Sequence, residues 1–257
     1  MSKFIALVML LLGFSTSAYA IPVLQVGAPA GPGDTGNYAD YQKSLTNPTE
    51  NDTAVTSGNL IYVAGGYANG VANLGGHYDN GKNWSDFGMP ISFDAQRAIL
   101  VASVPNGATG TLTVNNKSEF FKSTAISYFP NNHDPVKDDI ADFYFFDIGT
   151  FANNSNAVPN FDDETQLGKM NGEIKNLELV ITGFNWVHFD VMALETSIDT
   201  KKTCVVFTDP TDLENNPGSL DVTWTPSTPT VPEPTTVVLF GVGLIGFAAW
   251  SRKRRIV

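Results

Sequence analysis

The residues able to do chemistry are few and scattered. The chain has three histidines, His77, His133 and His188, and one cysteine, Cys204. A hydrolytic triad needs an activated serine beside a histidine, yet no histidine stands near a Gly-x-Ser-x-Gly turn. There is no His-Glu-x-x-His, and no Gly-rich loop with a following lysine opens a helix to hold phosphate. His188 and Asp190 are two apart in "WVHFDV", so on a strand they share a face. With a third group they can coordinate a metal; otherwise they pair with each other or with a backbone carbonyl. Carboxylates gather in "HDPVKDDIADFYFFD" and "FDDETQ". Asp134, Asp138, Asp139 and Asp142, or Asp162, Asp163 and Glu164, can take calcium from loops. The spacing is not that of an EF-hand, and a solvated acidic loop is the plainer reading. Trp84, with Tyr67, Tyr78 and Phe87, can stack on a sugar if it lies in a loop, although core packing claims most aromatics. No catalytic residue is assigned, no cofactor is required, and calcium is the one ion the carboxylates invite.

The charge is uneven. The 257 residues carry a formal net charge of −11, but Ile21–Val231 alone holds 10 basic against 25 acidic side chains, a net of −15. Such a surface repels phosphate backbones, which argues against a nucleic-acid partner. One cysteine excludes an intramolecular disulfide or a thiolate cluster; in "TCVVF" Cys204 reads as a small buried hydrophobe. Residues 1–20 have the form of a secretory signal peptide: Lys3, an apolar stretch from Phe4 to Phe14, then Ala18-Tyr19-Ala20, with cleavage expected after Ala20.

The elements that must position these groups read as strands. Short β-rich runs separated by Gly, Asn, Pro and Asp recur, and long runs of helical period are missing. The candidates are Leu60–Ala64, Ala98–Val104, Gly110–Val114, Phe120–Tyr128, Ala141–Ile148, Leu177–Thr182, Trp186–Ala193, Thr203–Phe207 and Leu220–Trp224. "AILVASVPNGATGTLTV" reads as two strands joined by a turn at Asn106-Gly107. "WVHFDVMA" alternates, with Val187, Phe189 and Val191 on a core face and Trp186, His188 and Asp190 on one that meets water or a covering loop. In "LDVTW", Leu220, Val222 and Trp224 share a side. Ala28–Thr56 reads as loop around at most one weak strand, Asn153–Glu164 as a second loop, and the Gly-rich "VAGGYANGVANLGGHYDNG" as flexible surface. The expected fold is all-β, an antiparallel, jelly-roll-like β-sandwich over residues 21–224. Residues 225–231 follow as a Pro/Thr-rich linker.

The chain ends in an ordered set: Val231-Pro232-Glu233-Pro234, an apolar run Val237–Trp250 holding Gly241, Gly243 and Gly246, then Arg252-Lys253-Arg254-Arg255. Sixteen residues of helix, from Thr235, reach roughly 24 Å at about 1.5 Å each, short of a hydrocarbon core of about 30 Å. The four cations resist crossing and hold that end in the cytoplasm, a basic stop-transfer signal that leaves the body on the far side. Residues 232–257 closely resemble the PEP-CTERM sorting signal of Gram-negative bacteria. The resemblance implies recognition of Pro232, Glu233 and Pro234 by exosortase, removal of the transmembrane helix and transfer of the body to the cell surface or matrix. It also implies export machinery, signal peptidase and, transiently, the inner membrane as partners.

The body resembles the choice-of-anchor N group of bacterial surface proteins in "AIPVLQV", in "GEIKNLELVITGFNWVHFDVMAL" and above all in Trp186-Val187-His188-Phe189-Asp190. That group is defined by architecture and brings no activity with it. The expectation is an exported, non-enzymatic surface or biofilm-matrix protein, in contact with exopolysaccharide. The alternatives are a carbohydrate- or calcium-binding adhesin module and a secreted glycoside hydrolase, whose carboxylate pair cannot be picked out by spacing.

Overall fold

The computed structural model describes residues 21–41, 43–75, 82–125, 129, 133–165, 168–199, 206–216 and 220–227. The strands, in chain order, are β1 (Leu24–Gly27), β2 (Lys43–Thr46), β3 (Thr49–Thr56), β4 (Leu60–Gly66), β5 (Val71–Leu74), β6 (Ala98–Pro105) and β7 (Thr111–Val114). There follow β8 (Phe121–Ser123), β9 (Ala141–Gly149), β10 (Asn154–Pro159), β11 (Lys169–Thr182), β12 (Val187–Asp199), β13 (Val206–Asn215) and β14 (Val222–Trp224). Two short 3-10 turns, Trp84–Phe87 and Ile91–Phe93, are the helical elements among the described residues. Neither of these is long and apolar enough to cross a membrane. The apolar run 237–250 lies outside the described residues, as do the signal peptide and Cys204.

The strands form two sheets. The smaller runs β1-β4-β11-β10, with β7 also on β11; the larger runs β2-β3-β14-β12-β6-β9-β8, with β5 and β13 also on β12. Pairing is antiparallel except between β14 and β3. The expected all-β, two-sheet sandwich is what the chain builds.

One apolar cluster joins the sheets: Leu24, Val26, Ile61 and Val63 from the smaller meet Leu100, Ala102, Val187, Phe189 and Val191 from the larger. A second cluster covers the opposite face of the larger sheet. There Ile99, Val101, Phe143, Phe145, Trp186, Met192 and Leu194 meet Trp84, Met89, Phe93, Phe129 and Val136 from the segments before β6 and before β9. The larger sheet is thus buried on both faces. This explains why β6 is a continuous apolar run, not an alternating one. It also decides the outer face of "WVHFDVMA": Trp186, His188 and Asp190 lie under a covering layer, not in water.

Several expectations need correction. The turn after β6 does have Gly107 at φ 68°, but it does not close a hairpin. β6 pairs with β12 and β9, whereas β7 crosses to the other sheet and pairs with β11. Residues 28–56 hold two strands rather than at most one, because β2 and β3 form an antiparallel pair at the edge of the larger sheet. β2 is mostly exposed, so it shows no apolar alternation. The same reason hides β10, whose first three residues are exposed at the edge of the smaller sheet. The Gly-rich stretch is partly strand: it supplies the end of β4 and all of β5, with Val71 and Leu74 buried. The strand expected over Phe120–Tyr128 is described only as β8, three residues long.

Candidate metal centre

His188 and Asp190 point to the covered face of the larger sheet, as i and i+2 residues of β12 must. β14 lies beside β12, with Thr223 opposite His188. Asp221, two residues before Thr223, lies on the same side. His133 comes from the covering segment before β9, its ring 5.5 Å from the His188 ring and 6.1 Å from Phe129. Two strands and a covering loop therefore bring four side chains together. Their ligand atoms all lie within 4.8 Å of one another. The Nε2 atoms of His133 and His188 are 3.3 Å apart. His133 Nε2 is 3.4 Å from Asp190 Oδ1 and 3.6 Å from Asp221 Oδ2. His188 Nε2 is 3.3 Å from Asp190 Oδ2 and 3.9 Å from Asp221 Oδ2.

The surroundings are dry. The side chains of His188, Asp190 and Asp221 are 0 % exposed, and that of His133 is 18 % exposed. Around them stands a second layer. Thr223 Oγ1 lies 2.9 Å from His188 Nδ1 and 3.0 Å from Thr53 Oγ1 of β3. Asn216 donates through Nδ2 to Asp190 Oδ1 at 3.1 Å and accepts the Val191 amide at 2.7 Å. Glu50 of β3 approaches His188 Nδ1 to 4.0 Å. Four carboxylate oxygens here are buried with no hydrogen-bond partner: Asp190 Oδ2, Asp221 Oδ1, Asp221 Oδ2 and Glu50 Oε2.

Electrostatics follow from this burial. Removal from water pushes Asp221 well above the ordinary carboxylate range, and Asp190 beside it adds to the effect. Burial acts on Asp190 too, but His188 and His133 outweigh it and hold that carboxyl below the ordinary range. Burial holds His188 down against the pull of Asp190. Glu50 is raised to about 7, chiefly by burial. Two imidazoles and two carboxylates facing one point make a set that can hold a divalent metal. They can also shuttle a proton, and His133 is the member of the set that reaches solvent.

Half of this set is legible in the sequence. His188 and Asp190 pair on one face there and lack a third ligand; the structure supplies His133 and Asp221. Asp221 has a signal: with Leu220, Val222 and Trp224 on one side of "LDVTW", Asp221 and Thr223 must share the other. His133 has none beyond being a histidine in an acidic loop.

The other candidates are dispersed. Asp134 pairs with Lys137, Asp138 and Asp139 are exposed, and Asp142 Oδ2 accepts the Gly107 amide at 2.9 Å. The acidic loop at 162–164 is tied up as structure: Glu164 accepts from the Asn37 amide and side chain, and Asp163 from Thr165. Trp84 is not a sugar platform. It is 0 % exposed, its Nε1 donates to the Gln96 carbonyl at 3.2 Å, and its ring meets Phe93 edge-on. The covering layer needed a large apolar group there more than the surface did. Phe87 is half-buried against the same cluster. Tyr67 is half-buried and donates to the Phe151 carbonyl at 2.7 Å. Tyr78, Ala18, Ala20, Pro232, Glu233, Pro234, Arg252, Lys253, Arg254 and Arg255 lie outside the described residues.

No curated protein and no solved structure matches the chain. Residues 230–255 match the PEP-CTERM protein-sorting motif. The motif implies export, transient anchoring in the membrane, and exosortase as the processing partner.

Proposed function

We propose that this chain is an exported bacterial surface or matrix protein, sorted by exosortase at Pro232-Glu233-Pro234, whose two-sheet body serves by structure or binding and not by catalysis. The observation that carries the reading is the sorting motif at residues 230–255. Around it stand Val237–Trp250 as a segment just long enough to pause in a bilayer and four cations that keep its end inside. The acidic body fits release into water outside the cell. A non-catalytic role is supported by the deep burial of His188, Asp190 and Asp221 in the His/Asp cluster. The likeness to the choice-of-anchor N group, carried by Trp186-Val187-His188-Phe189-Asp190, points the same way.

The test is fractionation of the native host carrying the wild-type chain or a variant with Pro232, Glu233 and Pro234 all changed to alanine. The wild type is expected outside the inner membrane and shortened at its C-terminus. The variant is expected to accumulate in the inner membrane with residues 235–257 intact. Equal processing of both would overturn the proposal.

A further inference from the structure

Two carboxylates set side by side in a dry site, with no hydrogen bonds to three of their four oxygens, are costly unless something positive sits between them. We propose that His133, His188, Asp190 and Asp221 bind one divalent transition-metal ion of the zinc class, in a closed structural centre that fastens the covering segment at 133–140 and β14 to β12.

Four observations converge. The separations are those of a small coordination sphere. Bonds of about 2.0–2.1 Å to a tetrahedral ion place neighbouring ligand atoms about 3.3–3.4 Å apart. With Asp190 Oδ2 and Asp221 Oδ2 as the carboxylate ligands, the separations from the histidine Nε2 atoms include 3.3, 3.6, 3.3 and 3.9 Å, and the whole set lies within 4.8 Å. The charges balance, because two neutral imidazoles and two carboxylates carry 2− and a divalent ion cancels it. The second layer is that of a metal site: with Thr223 taking the His188 Nδ1 proton, the Nε2 lone pair faces the cluster. Asn216 holds Asp190 by Oδ1 and leaves Oδ2 without a hydrogen bond. Finally, the ligand types choose the ion. Paired imidazoles favour zinc and its neighbours over calcium or magnesium, which take oxygen, and among the described residues no thiolate joins the set to select softer ions. All four positions come from the protein and three of them are fully buried, so the centre is structural.

The rival arrangement is metal-free, with a protonated His133 bridging the two aspartates. There His133 Nε2 donates to the His188 Nε2 lone pair at 3.3 Å, but one imidazolium offsets only one of the two aspartate charges. The two arrangements differ in one measurable respect, which is affinity for an added ion.

The experiment uses the full chain without a histidine tag, stripped with a chelator. It is titrated separately with Zn²⁺, Mn²⁺ and Ca²⁺, with bound metal counted and melting followed. Co²⁺ replaces Zn²⁺ for visible spectroscopy. Expected are one Zn²⁺ per chain, a higher Tm with Zn²⁺ than with Ca²⁺, and the intense visible bands of tetrahedral Co²⁺. His133→Ala, on the covering segment, is expected to lower zinc affinity at least tenfold. Asp221→Asn, of equal size, does the same should His133→Ala fail to fold. Thr223→Val, which touches no metal, weakens binding by about 10–100-fold. Failure of the wild type to bind zinc stoichiometrically overturns the proposal without recourse to any variant. So does a preference for Ca²⁺, a six-coordinate cobalt spectrum, or wild-type affinity in the folded variants. None of these readouts depends on export, so the sorting proposal stands or falls apart from them.

Discussion

Truncation of Phe93 to alanine tests how the covering layer is held on the larger sheet. Phe93 is 0 % exposed and ends the second 3-10 turn. Its ring lies 5.1 Å from Phe120, 5.2 Å from Phe121, 5.1 Å from Phe145 and 6.2 Å from Trp84. Loss of a buried Phe side chain costs about 3–5 kcal/mol, and four aromatic neighbours place this one toward the upper end. For a body of this size each kcal/mol moves the midpoint by about 2–4 °C, so the Tm of Phe93→Ala is expected to fall by about 8–16 °C. Ile91, two residues earlier in the same turn, is 80 % exposed, and Ile91→Ala is expected within about 0.5 kcal/mol of wild type. Urea unfolding of both variants, followed by tryptophan fluorescence and circular dichroism, gives the two free energies. A Phe93→Ala loss under about 1 kcal/mol, or equal losses in both, would refute the claim that the outer face of the larger sheet is a true core.

Asp221→Asn is expected to change sign with metal. In chelated protein it removes a buried carboxylate without hydrogen bonds and leaves stability equal or raised by about 1–3 kcal/mol; with saturating zinc it falls below wild type, as paired melting curves will show. Gly172→Ala puts a side chain at φ 151°, where its Cβ collides with the Gly65 carbonyl oxygen of β4 and comes within 2.8 Å of Val158. Backbone cannot yield as a side chain can, so loss of soluble folded protein is expected, judged by yield and far-UV dichroism. Tyr41 is buried and donates to the Val26 carbonyl, and burial, with Asp221, Asp162 and Tyr38 adding to it, raises its phenol well above the ordinary value of 10.0. Its contribution is complete below the unfolded value and is lost as pH climbs toward the folded one. Stability is thus expected to drop above about pH 10. Tyr41→Phe flattens that alkaline limb, which urea titrations at stepped pH will resolve.

Alternation is a sound guide wherever one face of a strand meets the core and the other does not. "WVHFDVMA" and "LDVTW" are legible for that reason, and so are His188 and Asp190 as neighbours on a face. It fails at sheet edges: Lys43–Thr46 and the first half of Asn154–Pro159 hold their places through backbone pairing and carry polar side chains outward. It also fails for partners. Nothing local says that Ala98–Pro105 pairs with β12 while Thr111–Val114 leaves for the other sheet. For the same reason the register that sets Thr223 against His188, and so Asp221 beside Asp190, is invisible along the chain. Trp84 is misplaced by its neighbours because loop composition on either side of it resembles surface, whereas two-sided burial of the larger sheet demands large apolar groups from those very loops.

The central claim is that the body is carried out of the cell and its sorting tail removed. Intact-mass analysis of the protein recovered from the surface or medium of its native host addresses it most directly. The account predicts a chain that lacks residues 1–20 and the apolar run 237–250 with its basic end. A full-length chain of 27.7 kDa recovered from the cytosol would contradict it.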